Sequence, residues 1–468
     1  MRILVREIIN KENQNVELMG WVATRRDHGK LIFIDLRDRS GIIQAVFLPK
    51  PEELHSLADK LRNEWVVKLK GKVAKRPENM VNKEIETGEF EIQAEELEII
   101  NESKALPIAI DTNGYEIGED SRMKYRYLDL RRERLRKNLK IRAKVIKFIR
   151  DFLTEKEFVE VETPVLTKST PEGARDYIVP SRLEPGKFYA LPQSPQQYKQ
   201  LLMVAGLERY FQIARCFRDE DTRGDRQPEH TQLDIEMSFV KSDDVMSLVE
   251  DLITAMMKNL YPEKKFKSPW PKINYKETME KYNSDKPDIR DNKNDSNEIA
   301  FAWVVNFPSF ELDKQTKEIQ PVHHMFVQPK DESISLIDTE PLKMISTQYD
   351  WVCNGYELAS GSIRITNPEL QMKVFRLLGM SEEKAKKDFG HLLEAFTYGV
   401  PPHGGIAPGL DRLIAILQNE PNIREVIAFP KTGDGRDLMM NAPSEVDKEQ
   451  LKELHLEIKL NPPAGGKK

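Results

Sequence analysis

The sequence predicts an α+β protein in two parts: an N-terminal β-barrel over residues 1–107, and a larger domain built on an antiparallel sheet. A chain of 468 residues exceeds the usual size of one hydrophobic core. Apolar and polar residues alternate between glycine-containing turns from Val16 to Ile100, which is typical of short strands. Beyond that point, strand-like hairpins are separated by helix-like segments, as in domains whose helices pack on an antiparallel sheet.

The composition excludes several classes of protein. Charged residues make up 32% of the chain and hydrophobic residues 39%, which is typical of a globular protein, and the net charge of −5 does not indicate nucleic-acid binding. The two cysteines, Cys216 and Cys353, lack the spacing of a disulfide framework or a zinc site, so we expect a cytoplasmic protein. Arg6 and Glu7 interrupt the apolar N-terminus, and no run reaches the ~18 apolar residues of a membrane span. A signal peptide, a membrane span and a membrane partner are therefore not expected.

The first part contains five strand-like segments and one helix-like segment. The strands lie in VELMGWVATRRDHGKLIFIDLRDRSGIIQAVFL, WVVKLKGKVAKR and GEFEIQAEELEII, and the helix lies in PEELHSLADKLRNE, residues 51–64. Five short strands with one helix between them favour a small closed barrel of the oligonucleotide-binding (OB) kind. The alternative is a β-barrel of another kind.

A basic segment follows the barrel. Residues 108–132 are expected to be a hinge, and residues 121–150 contain thirteen Lys or Arg against two acidic residues. From residue 133 onward the apolar residues recur at helical spacing, which predicts an amphipathic helix. The basic residues are either the solvated face of this helix or a surface that contacts phosphate. The neighbouring barrel favours the second hypothesis.

The larger domain is expected over residues 133–460, followed by a disordered tail over residues 461–468. Its strands are predicted in FVEVETPVL, KFYAL, RYFQIARCFRDE, HTQLDIEMSFV, FAWVVNF and QYDWVCNGYELASGSIRI. Its helices are predicted in QQYKQLLMVAG, VMSLVEDLITAMMKNLY and GLDRLIAILQN. No strand leads into GxGxxG or the phosphate-binding loop pattern, so a Rossmann or P-loop nucleotide site is not supported.

Two consecutive strands, RYFQIARCFRDE and HTQLDIEMSFV, carry charge on one face only. Because side chains alternate along a strand, the even-numbered residues share one face and the apolar odd-numbered residues share the other. If the even faces coincide, they form a polar floor of Arg218, Glu220, His230, Gln232, Asp234 and Glu236. An arginine fork and a carboxylate on one floor suit a ligand that carries both phosphate and ammonium. The alternative is a surface hairpin with weak ion pairs.

Several motifs resemble those of one family. FRDEDTRGDRQPEHTQLDIE resembles motif 2 of the class II aminoacyl-tRNA synthetases, in particular the aspartyl-tRNA synthetases of bacterial type (class IIb). GIAPGLDRL, residues 405–413, resembles motif 3, and KEFVEVETPVLTKSTPEGARDY, which contains Pro164, resembles motif 1. LPQSPQQYKQ, the pair His323 and His324, and NGYELASGSIRI add to a resemblance that covers nearly the whole chain. It implies an OB-fold anticodon-binding domain, a class II catalytic domain and a homodimer that packs around motif 1.

The resemblance implies ATP-dependent attachment of L-aspartate to tRNA through an aspartyl-adenylate. Arg218 is then expected to contact the α-phosphate and the reacting carboxylate, and Arg412 to clamp the γ-phosphate, because a guanidinium fork fixes direction as well as charge. The other implied ATP contacts are Asp219, Glu220, Gln227, His230, Glu357, Gly409, Leu410 and Asp411. His230 stands where relatives commonly have phenylalanine, so an imidazole would have to stack on adenine. Arg223 and Arg226 are expected to meet the acceptor end of tRNA.

The resemblance assigns Mg²⁺ to two carboxylates, Asp350 and Glu357. The Asn354–Gly355 pair predicts a two-residue hairpin turn that pairs residue 353 with 356, 352 with 357 and 350 with 359. Both carboxylates then share a face as diagonal neighbours and can hold a hard cation that keeps water and phosphate oxygens as its other ligands. The alternative is an ordinary charged hairpin.

The aspartate pocket is implied by a further set of residues. Arg364, assisted by Lys199, is expected to bind the side-chain carboxylate and so separate aspartate from asparagine. The other implied contacts are Ser194 and Gln196 in the same pocket, and Glu172, Asp234, His323 and His324 around the ammonium group. Simple alternation puts Arg364 on the face opposite Glu357. We expect a β-bulge at Gly361 to redirect the strand.

In the barrel, Phe33 and Gln44 match family positions that stack on and hydrogen-bond an anticodon base. Further implied anticodon contacts are Arg25, Arg26, His28, Asn79 and Glu91. In related synthetases a histidine at the position of His28 accompanies relaxed reading of the first anticodon base, whereas the segment around Asn79 matches neither pattern. We therefore expect charging of both tRNA-Asp and tRNA-Asn, with a strictly discriminating ligase for tRNA-Asp as the alternative.

The chain departs from the family between residues 281 and 302, where bacterial-type relatives carry an inserted domain and this chain has a short polar link. Two other functions are weighed. TPEGARDY, QSPQ and the Arg364/Lys199 pair argue against a sister enzyme for asparagine or lysine. The two predicted ATP arginines and the two predicted metal carboxylates argue against an RNA-binding module without catalysis. The expected partner is tRNA and not DNA.

Overall fold

The computed structural model describes residues 2–169 and 173–459, and the chain divides between Ala109 and Ile110 into two units. The first unit is a closed five-stranded barrel with strand order β1-β2-β3-β5-β4. Its elements are β1 (Asn15–His28), β2 (Leu31–Arg37), β3 (Ile42–Phe47), α1 (Glu52–Asp59), β4 (Val66–Lys75) and β5 (Phe90–Asn101), with 3-10 helices at Val5–Asn10 and Glu78–Met80. Ile32, Ile34 and Leu36 of β2 are buried in the barrel, so Phe33 faces outward.

The second unit is organised around an eight-stranded sheet with the order β11-β12-β15-β16-β17-β10-β9-β6. Its strands are β6 (Val159–Glu160), β9 (Arg209–Phe217), β10 (Glu229–Ser238), β11 (Lys272–Asn274), β12 (Phe301–Val305), β15 (Tyr349–Cys353), β16 (Tyr356–Ile363) and β17 (His403–Ile406). Two small sheets pair β7 (Ile178–Pro180) with β8 (Phe188–Ala190), and β13 (Phe310–Leu312) with β14 (Ile319–Pro321). The predicted antiparallel pairing is correct for the central strands, whereas the edge strands β6 and β11 pair parallel.

Ten helices are described in the second unit. They are α2 (Glu119–Lys124), α3 (Arg126–Asp129), α4 (Glu133–Glu155), α5 (Gln196–Val204), α6 (Ser242–Leu260), α7 (Tyr275–Tyr282), α8 (Pro368–Leu377), α9 (Glu382–Phe396), α10 (Leu410–Leu417) and α11 (Lys448–Glu453). Shorter 3-10 helices lie at Asp331–Asp338, Pro341–Lys343 and Ile423–Glu425. Helices and strands together confirm the predicted α+β class. The predicted tail, 461–468, lies outside the described residues.

The main core lies on one face of the large sheet. Apolar residues of α4, α6 and α10 pack there against odd-numbered strand residues such as Ile235, Trp303 and Trp351. Alternation along the strands then directs the even-numbered residues to the opposite face. No helix within residues 2–169 or 173–459 is long and apolar enough to cross a membrane.

The basic segment is largely neutralised inside the second unit. Four of its arginines lie in one buried ion-pair network: Arg122, Arg126, Arg132 and Arg134. Asp129 Oδ2 lies 2.7 Å from Arg126 Nη1, Asp129 Oδ1 lies 2.6 Å from Arg132 Nε, and Glu425 Oε2 lies 2.7 Å from Arg122 Nη2. The predicted phosphate contact is therefore wrong for these arginines, because their acceptors come from the protein. The second half of the segment predicted as a hinge contains two short helices, α2 and α3.

Candidate functional site

The face of the sheet opposite the core carries the polar floor. β9 and β10 pair antiparallel with Gln212 opposite Asp234, so the even-numbered residues of the two strands share a face, as predicted. Asp234 and Glu236 are fully buried there. Gly405 of β17 lies opposite Glu236, and a Cβ atom on it would lie 2.2 Å from Glu236 Oε2. This glycine therefore leaves room for the Glu236 carboxylate.

Two cationic side chains meet on the floor at Glu236. Arg364 Nε and Nη2 donate to Glu236 Oε1 and Oε2 at 2.9 and 3.0 Å. Lys199 Nζ lies 3.0 Å from Asp234 Oδ1 and 3.4 Å from Glu236 Oε2. Burial would raise the pKa of Glu236, but the charges of Arg364 and Lys199 lower it to about 2. Glu236 is therefore ionised and holds both cations, a role that the sequence-based prediction missed although it put this residue on the floor.

Arg364 and Lys199 each keep one N–H group beyond these bonds. Arg364 Nη1 also contacts Ser362 Oγ at 2.7 Å and His324 Nε2 at 3.1 Å. At most four of the five N–H groups of Arg364 are thus engaged, as are two of the three of Lys199. The pair can offer one hydrogen bond from each side chain to a ligand.

The predicted histidine pair lies beside Arg364. His324 Nδ1 accepts from the backbone N–H of Phe326 at 3.1 Å, and its Nε2 lies 3.1 Å from Arg364 Nη1. Burial, the His323 ring and Arg364 lower the pKa of His324 well below its usual value. The ring centroids of His323 and His324 lie 4.6 Å apart. The His324 ring is therefore neutral and can contribute polar atoms without charge.

The hairpin of β15 and β16 brings the two predicted metal ligands onto the same face. Asn354 and Gly355 have φ angles of 50° and 87° and form the predicted two-residue turn. Val352 pairs with Glu357 as predicted. Asp350, however, pairs with residue 360 and not with residue 359, because the register shifts by one residue between these pairs. The predicted register is therefore correct at the turn and wrong beyond it.

Leu358 is the extra residue of this bulge. Both Leu358 and Ala359 lie in the core, which is possible for consecutive residues only where the alternation is broken. The break puts Glu357 and Arg364 on the same face, although their spacing along a regular strand would separate them. The expected bulge exists, but its predicted position at Gly361 is wrong. A Cβ atom on Gly361 would lie 2.5 Å from Gly405 O, so this glycine allows close approach of β17.

The carboxylates of Asp350 and Glu357 fit a hard divalent cation. Asp350 Oδ1 accepts from Ser360 Oγ at 2.5 Å and from Gln348 Nε2 at 3.0 Å. Burial and the neighbouring Glu357 raise the pKa of Asp350 well above its usual value. A bound cation would favour the ionised form of Asp350. Groups of three or more acidic, histidine or cysteine ligands are absent from the described residues, so water or a bound phosphate would have to supply the other ligands.

Several predicted ligand-binding side chains have donors without an acceptor. The Nε atoms of Arg218 and Arg412 and the Nε2 atom of Gln196 are buried and lack a hydrogen-bond partner. Buried donors of this kind are rare, because leaving one unpaired costs about 1–3 kcal/mol. Arg412 also donates from Nη1 to the carbonyl of Glu357 and from Nη2 to Asp225 Oδ2 at 3.1 Å. These donors are available to a ligand.

Three further predicted ATP contacts lie in the loop that follows β9, and two of them, Asp219 and Glu220, are partly exposed. Asp219 Oδ2 lies 3.6 Å from Arg175 Nε, and Glu220 Oε2 lies 3.4 Å from Arg226 Nη1. Gln227 is buried, and its Oε1 accepts a backbone N–H at 2.7 Å. The structure therefore gives these three residues different environments within one loop.

Of the other predicted ATP contacts, Gly409 and Asp411 lie beside the floor, whereas the side chain of Leu410 is buried in the main core. Gly409, just before α10, forms a bridge to Gln232 of β10. Asp411 is buried and accepts from Arg142 Nη1 at 2.5 Å and from a backbone N–H at 2.9 Å, so both of its oxygens are engaged by the protein. Burial and the charge of Arg218 lower the pKa of His230 to about 4, so its ring is neutral at neutral pH.

One predicted aspartate contact, Ser194, lies outside this network. Glu172 lies outside the described residues. Ser194 lines a neighbouring cavity of about 460 Å³ between the outer face of α5 and the segment around Thr167. Neither Arg218 nor Arg364 lines this cavity. The charged floor, and not this cavity, therefore carries the chemistry that the sequence predicts.

The barrel brings most predicted anticodon residues together. Arg26 donates to Asp35 at 2.6 and 2.8 Å and to Gln44 Oε1 at 3.3 Å. Gln44 Nε2 in turn donates to Glu91 Oε2 at 2.9 Å. The outward-facing Phe33 ring lies next to this row of polar groups, because Phe33 pairs with Arg26 across β1 and β2. An aromatic face beside edge-binding groups is an arrangement that can bind an unstacked base.

Three further anticodon predictions have distinct outcomes. His28 packs edge-on against Phe33, with ring centroids 6.0 Å apart. Arg25 instead pairs with Asp27 and Asp59 at 2.9 and 2.7 Å. Asn79 is exposed in the short 3-10 helix after β4. The structure therefore brings His28 to the Phe33 surface, but it engages Arg25 elsewhere.

Comparisons with known proteins agree with this geometry. The family model of class II tRNA synthetases (D, K and N) matches residues 118–433, and that of the OB-fold nucleic acid binding domain matches residues 16–100. The chain is 45% identical to the aspartate–tRNA(Asp/Asn) ligase of Rubrobacter xylanophilus, over 96% of this chain and 95% of that protein. It is 44% identical to the ligase of the same name from Dictyoglomus turgidum, over 96% and 97%. The first alignment runs over 572 positions, more than the 468 residues of the chain, so that relative contains segments without a counterpart here.

Solved structures share the fold. Asparaginyl-tRNA synthetase from Pyrococcus horikoshii, complexed with asparaginyl-adenylate, superposes with a TM-score of 0.75 at 23% identity, over 92% of this chain and 98% of that chain. Aspartyl-tRNA synthetase from Entamoeba histolytica gives 0.74 at 22% identity, over 92% and 91%. At these identities the likeness concerns the fold alone. Together with the family model and the relatives at 44–45% identity, it leads to one conclusion: the chain belongs to the class II aminoacyl-tRNA synthetases.

Proposed function

We propose that the protein attaches L-aspartate to tRNA with ATP, through an aspartyl-adenylate. The observation that carries this proposal is the pair of remaining donors on Arg364 and Lys199, held side by side by Glu236. Two cationic donors match the two oxygens of a carboxylate side chain. The amide of asparagine would put an N–H group against a donor and would lack the charge, so the pocket favours aspartate.

The chemistry needs little beyond positioning and charge neutralisation. The aspartate α-carboxylate attacks the α-phosphorus of ATP, and pyrophosphate leaves from the opposite side. Arg218, whose Nε lacks an acceptor, would bind the carboxylate and the α-phosphate, while Arg412 would bind the γ-phosphate. Asp350 and Glu357 would hold Mg²⁺, which supplies positive charge to the phosphate oxygens when it is bound. The neutral His230 ring would stack on adenine.

Adenylate formation tests the proposal directly. Amino-acid-dependent exchange of pyrophosphate into ATP is expected with aspartate and not with asparagine or lysine. Exchange with one of those amino acids would assign the protein to a sister activity. Absence of exchange with every amino acid would favour an RNA-binding module without catalysis. The short link over residues 281–302 leaves the floor residues in place, so we expect exchange without the inserted domain.

We further propose that the barrel binds the anticodon and that both tRNA-Asp and tRNA-Asn are charged. The contact of His28 with Phe33 supports this, because it puts the loop histidine next to the stacking surface. The activity for which the relatives are named, aspartate–tRNA(Asp/Asn) ligase, supports the same proposal. Purified tRNA-Asp and tRNA-Asn should be charged side by side with the same enzyme. Charging of tRNA-Asp alone would support a strictly discriminating ligase instead.

The assembly proposed is a homodimer that packs around Pro164. Val159, Val165 and Leu166 flank this proline and are 45%, 47% and 53% exposed, an apolar surface that a second copy would cover. Analytical ultracentrifugation should give twice the mass of the chain. We also propose a cytoplasmic location, which the two buried free cysteines suit.

A further inference from the structure

The loop between β9 and β10, residues 218–228, forms an ion pair with Arg412, the arginine that is proposed to bind the γ-phosphate. We call this segment the motif 2 loop. Arg412 Nη2 donates to Asp225 Oδ2 at 3.1 Å and to Asp225 O at 3.3 Å, while Nη1 donates to the carbonyl of Glu357. A carboxylate and a phosphate present similar oxygen pairs to a guanidinium fork. Asp225 therefore engages Nη2, one of the nitrogens with which Arg412 would bind a phosphate.

The two proposed ATP arginines differ in this respect. The Nε atoms of both arginines lack an acceptor, but no acidic side chain among the described residues forms an ion pair with Arg218. Arg412 has an ion pair with a residue of the motif 2 loop. The α-phosphate arginine is thus open in this structure, whereas the γ-phosphate arginine is held by the protein.

The contact is one of several that hold the motif 2 loop. Gly224 O accepts the backbone N–H of Ile423 at 3.1 Å, and Thr222 Oγ1 donates to Gly433 O. Asp225 is the loop residue whose charge is bound at the γ-phosphate arginine. Moving Asp225 away from Arg412 therefore removes an ionic contact that holds the loop.

We propose that Asp225 competes with the γ-phosphate for Arg412, so that ATP binding displaces it and changes the conformation of the motif 2 loop. This inference rests on the proposed function, because it takes Arg412 as the γ-phosphate clamp. Nη2 of Arg412 carries two N–H groups and both Asp225 acceptors bind there, so a phosphate oxygen can bind at Nη2 only when Asp225 leaves. Asp225 is accordingly a positioning residue: it acts on ATP through Arg412 and does not itself touch the reacting atoms.

The size of the effect follows from the exposure of the pair. The side chains of Arg412 and Asp225 are 25% and 40% exposed, so the contact belongs to the partly solvated ion pairs. Such pairs contribute modestly to stability, and removing the competitor should therefore improve ATP binding by about threefold to fivefold.

The test is the binding of ATP and AMP to Asp225→Asn, measured by isothermal titration calorimetry with Mg²⁺ present. We expect the Kd for ATP to fall about threefold to fivefold and the Kd for AMP to stay unchanged, because AMP has no γ-phosphate. In steady-state exchange, the KM for ATP should fall while the KM for aspartate does not change. An unchanged or raised Kd for ATP, or an equal fall for AMP, would overturn the proposal.

Two variants separate this competition from other effects. Asp221→Asn removes one negative charge from the same loop and should leave the Kd for ATP unchanged; a fall equal to that of Asp225→Asn would mean that net charge alone is responsible. Asp225→Glu keeps a carboxylate at the position and should restore the wild-type Kd. Failure of the proposed function is recognised separately, because the wild-type protein would then show no pyrophosphate exchange with any amino acid.

Discussion

The catalytic unit contains two clusters of arginines with buried N–H groups. In one cluster the protein supplies the acceptors, and in the other an acceptor is lacking. In the network around Asp129 and Glu425, protein acceptors surround the guanidinium groups of Arg122 and Arg126. On the polar floor, a buried N–H group of Arg218 has no acceptor at all. The difference lies in where the acceptors come from.

The comparison shows that arginine content and burial do not by themselves identify a functional cluster. A buried guanidinium whose donors are satisfied within the chain stabilises the fold. One whose donors are left over reduces stability until a ligand supplies the acceptor. The two clusters should therefore respond in opposite ways when one member is replaced, and this difference can be measured.

Arg218→Gln should have the largest effect, and it should affect activity and not stability. We expect the rate of aspartate-dependent pyrophosphate exchange to fall about 10³-fold to 10⁴-fold, which corresponds to about 4–5 kcal/mol of transition-state stabilisation. The free energy of unfolding should stay within about 0.5 kcal/mol of wild type, or rise, because a buried unsatisfied donor is removed. Exchange kinetics and urea unfolding check the two halves. A large loss of stability would contradict the contrast between the clusters.

Asp129→Asn should have the opposite signature. The Asp129 carboxylate accepts from Arg126 and Arg132 at 2.7 and 2.6 Å, so its removal leaves buried cations without their counter-charge. We expect the free energy of unfolding to fall by about 3–4 kcal/mol. The KM values for ATP and aspartate of the folded protein should not change. Asp151→Asn, in the exposed pair with Lys147, is a matched control and should cost less than about 0.5 kcal/mol.

Local alternation was enough to predict the faces of the strands, and therefore the polar floor. The same reasoning failed for the position of the bulge, because the alternation of β16 breaks where Leu358 and Ala359 both enter the core. That choice depends on packing against other elements and not on the order of residues within the strand. The Asn354–Gly355 turn, in contrast, has a local cause and was predicted correctly.

The arginine network could not be predicted because its acceptors are distant in the chain. Glu425 lies about 300 residues after Arg122, and the sequence between them gives no indication that they meet. The residues within the basic segment include too few acidic side chains to neutralise its positive charge. This is why the sequence led to the wrong expectation of phosphate contact. The contact of Asp225 with Arg412 likewise depends on how the motif 2 loop folds over the floor. The sequence was therefore enough to predict which charged residues belong to the site, but not which charged residues form ion pairs with one another.

Glu236→Gln should show how much the ion pairs of the floor contribute to the free energy of unfolding. The folded-state pKa of Glu236 is about 2, below the value of about 4.3 expected in an unfolded chain. Its ionic contacts therefore contribute to stability above about pH 4, and this contribution is lost as the pH falls towards 2. We expect the difference in unfolding free energy between wild type and Glu236→Gln to shrink by roughly 3 kcal/mol over that range. Urea unfolding at a series of pH values measures it, and a pH-independent difference would contradict the assignment.

The smallest effect is expected from the exposed part of the basic segment, where the phosphate-contact hypothesis can still be tested. Lys144 is exposed on α4, and Lys144→Ala should change the free energy of unfolding by less than about 0.5 kcal/mol. If α4 contacted tRNA phosphate, losing this lysine would also reduce the salt dependence of tRNA binding by about one unit of slope. We expect no such change for Lys144→Ala and a reduction of about one unit for Arg226→Ala in the motif 2 loop. The same reduction of the slope in both variants would show that α4 contacts tRNA. Exposed cations outside the floor would then also bind tRNA phosphate.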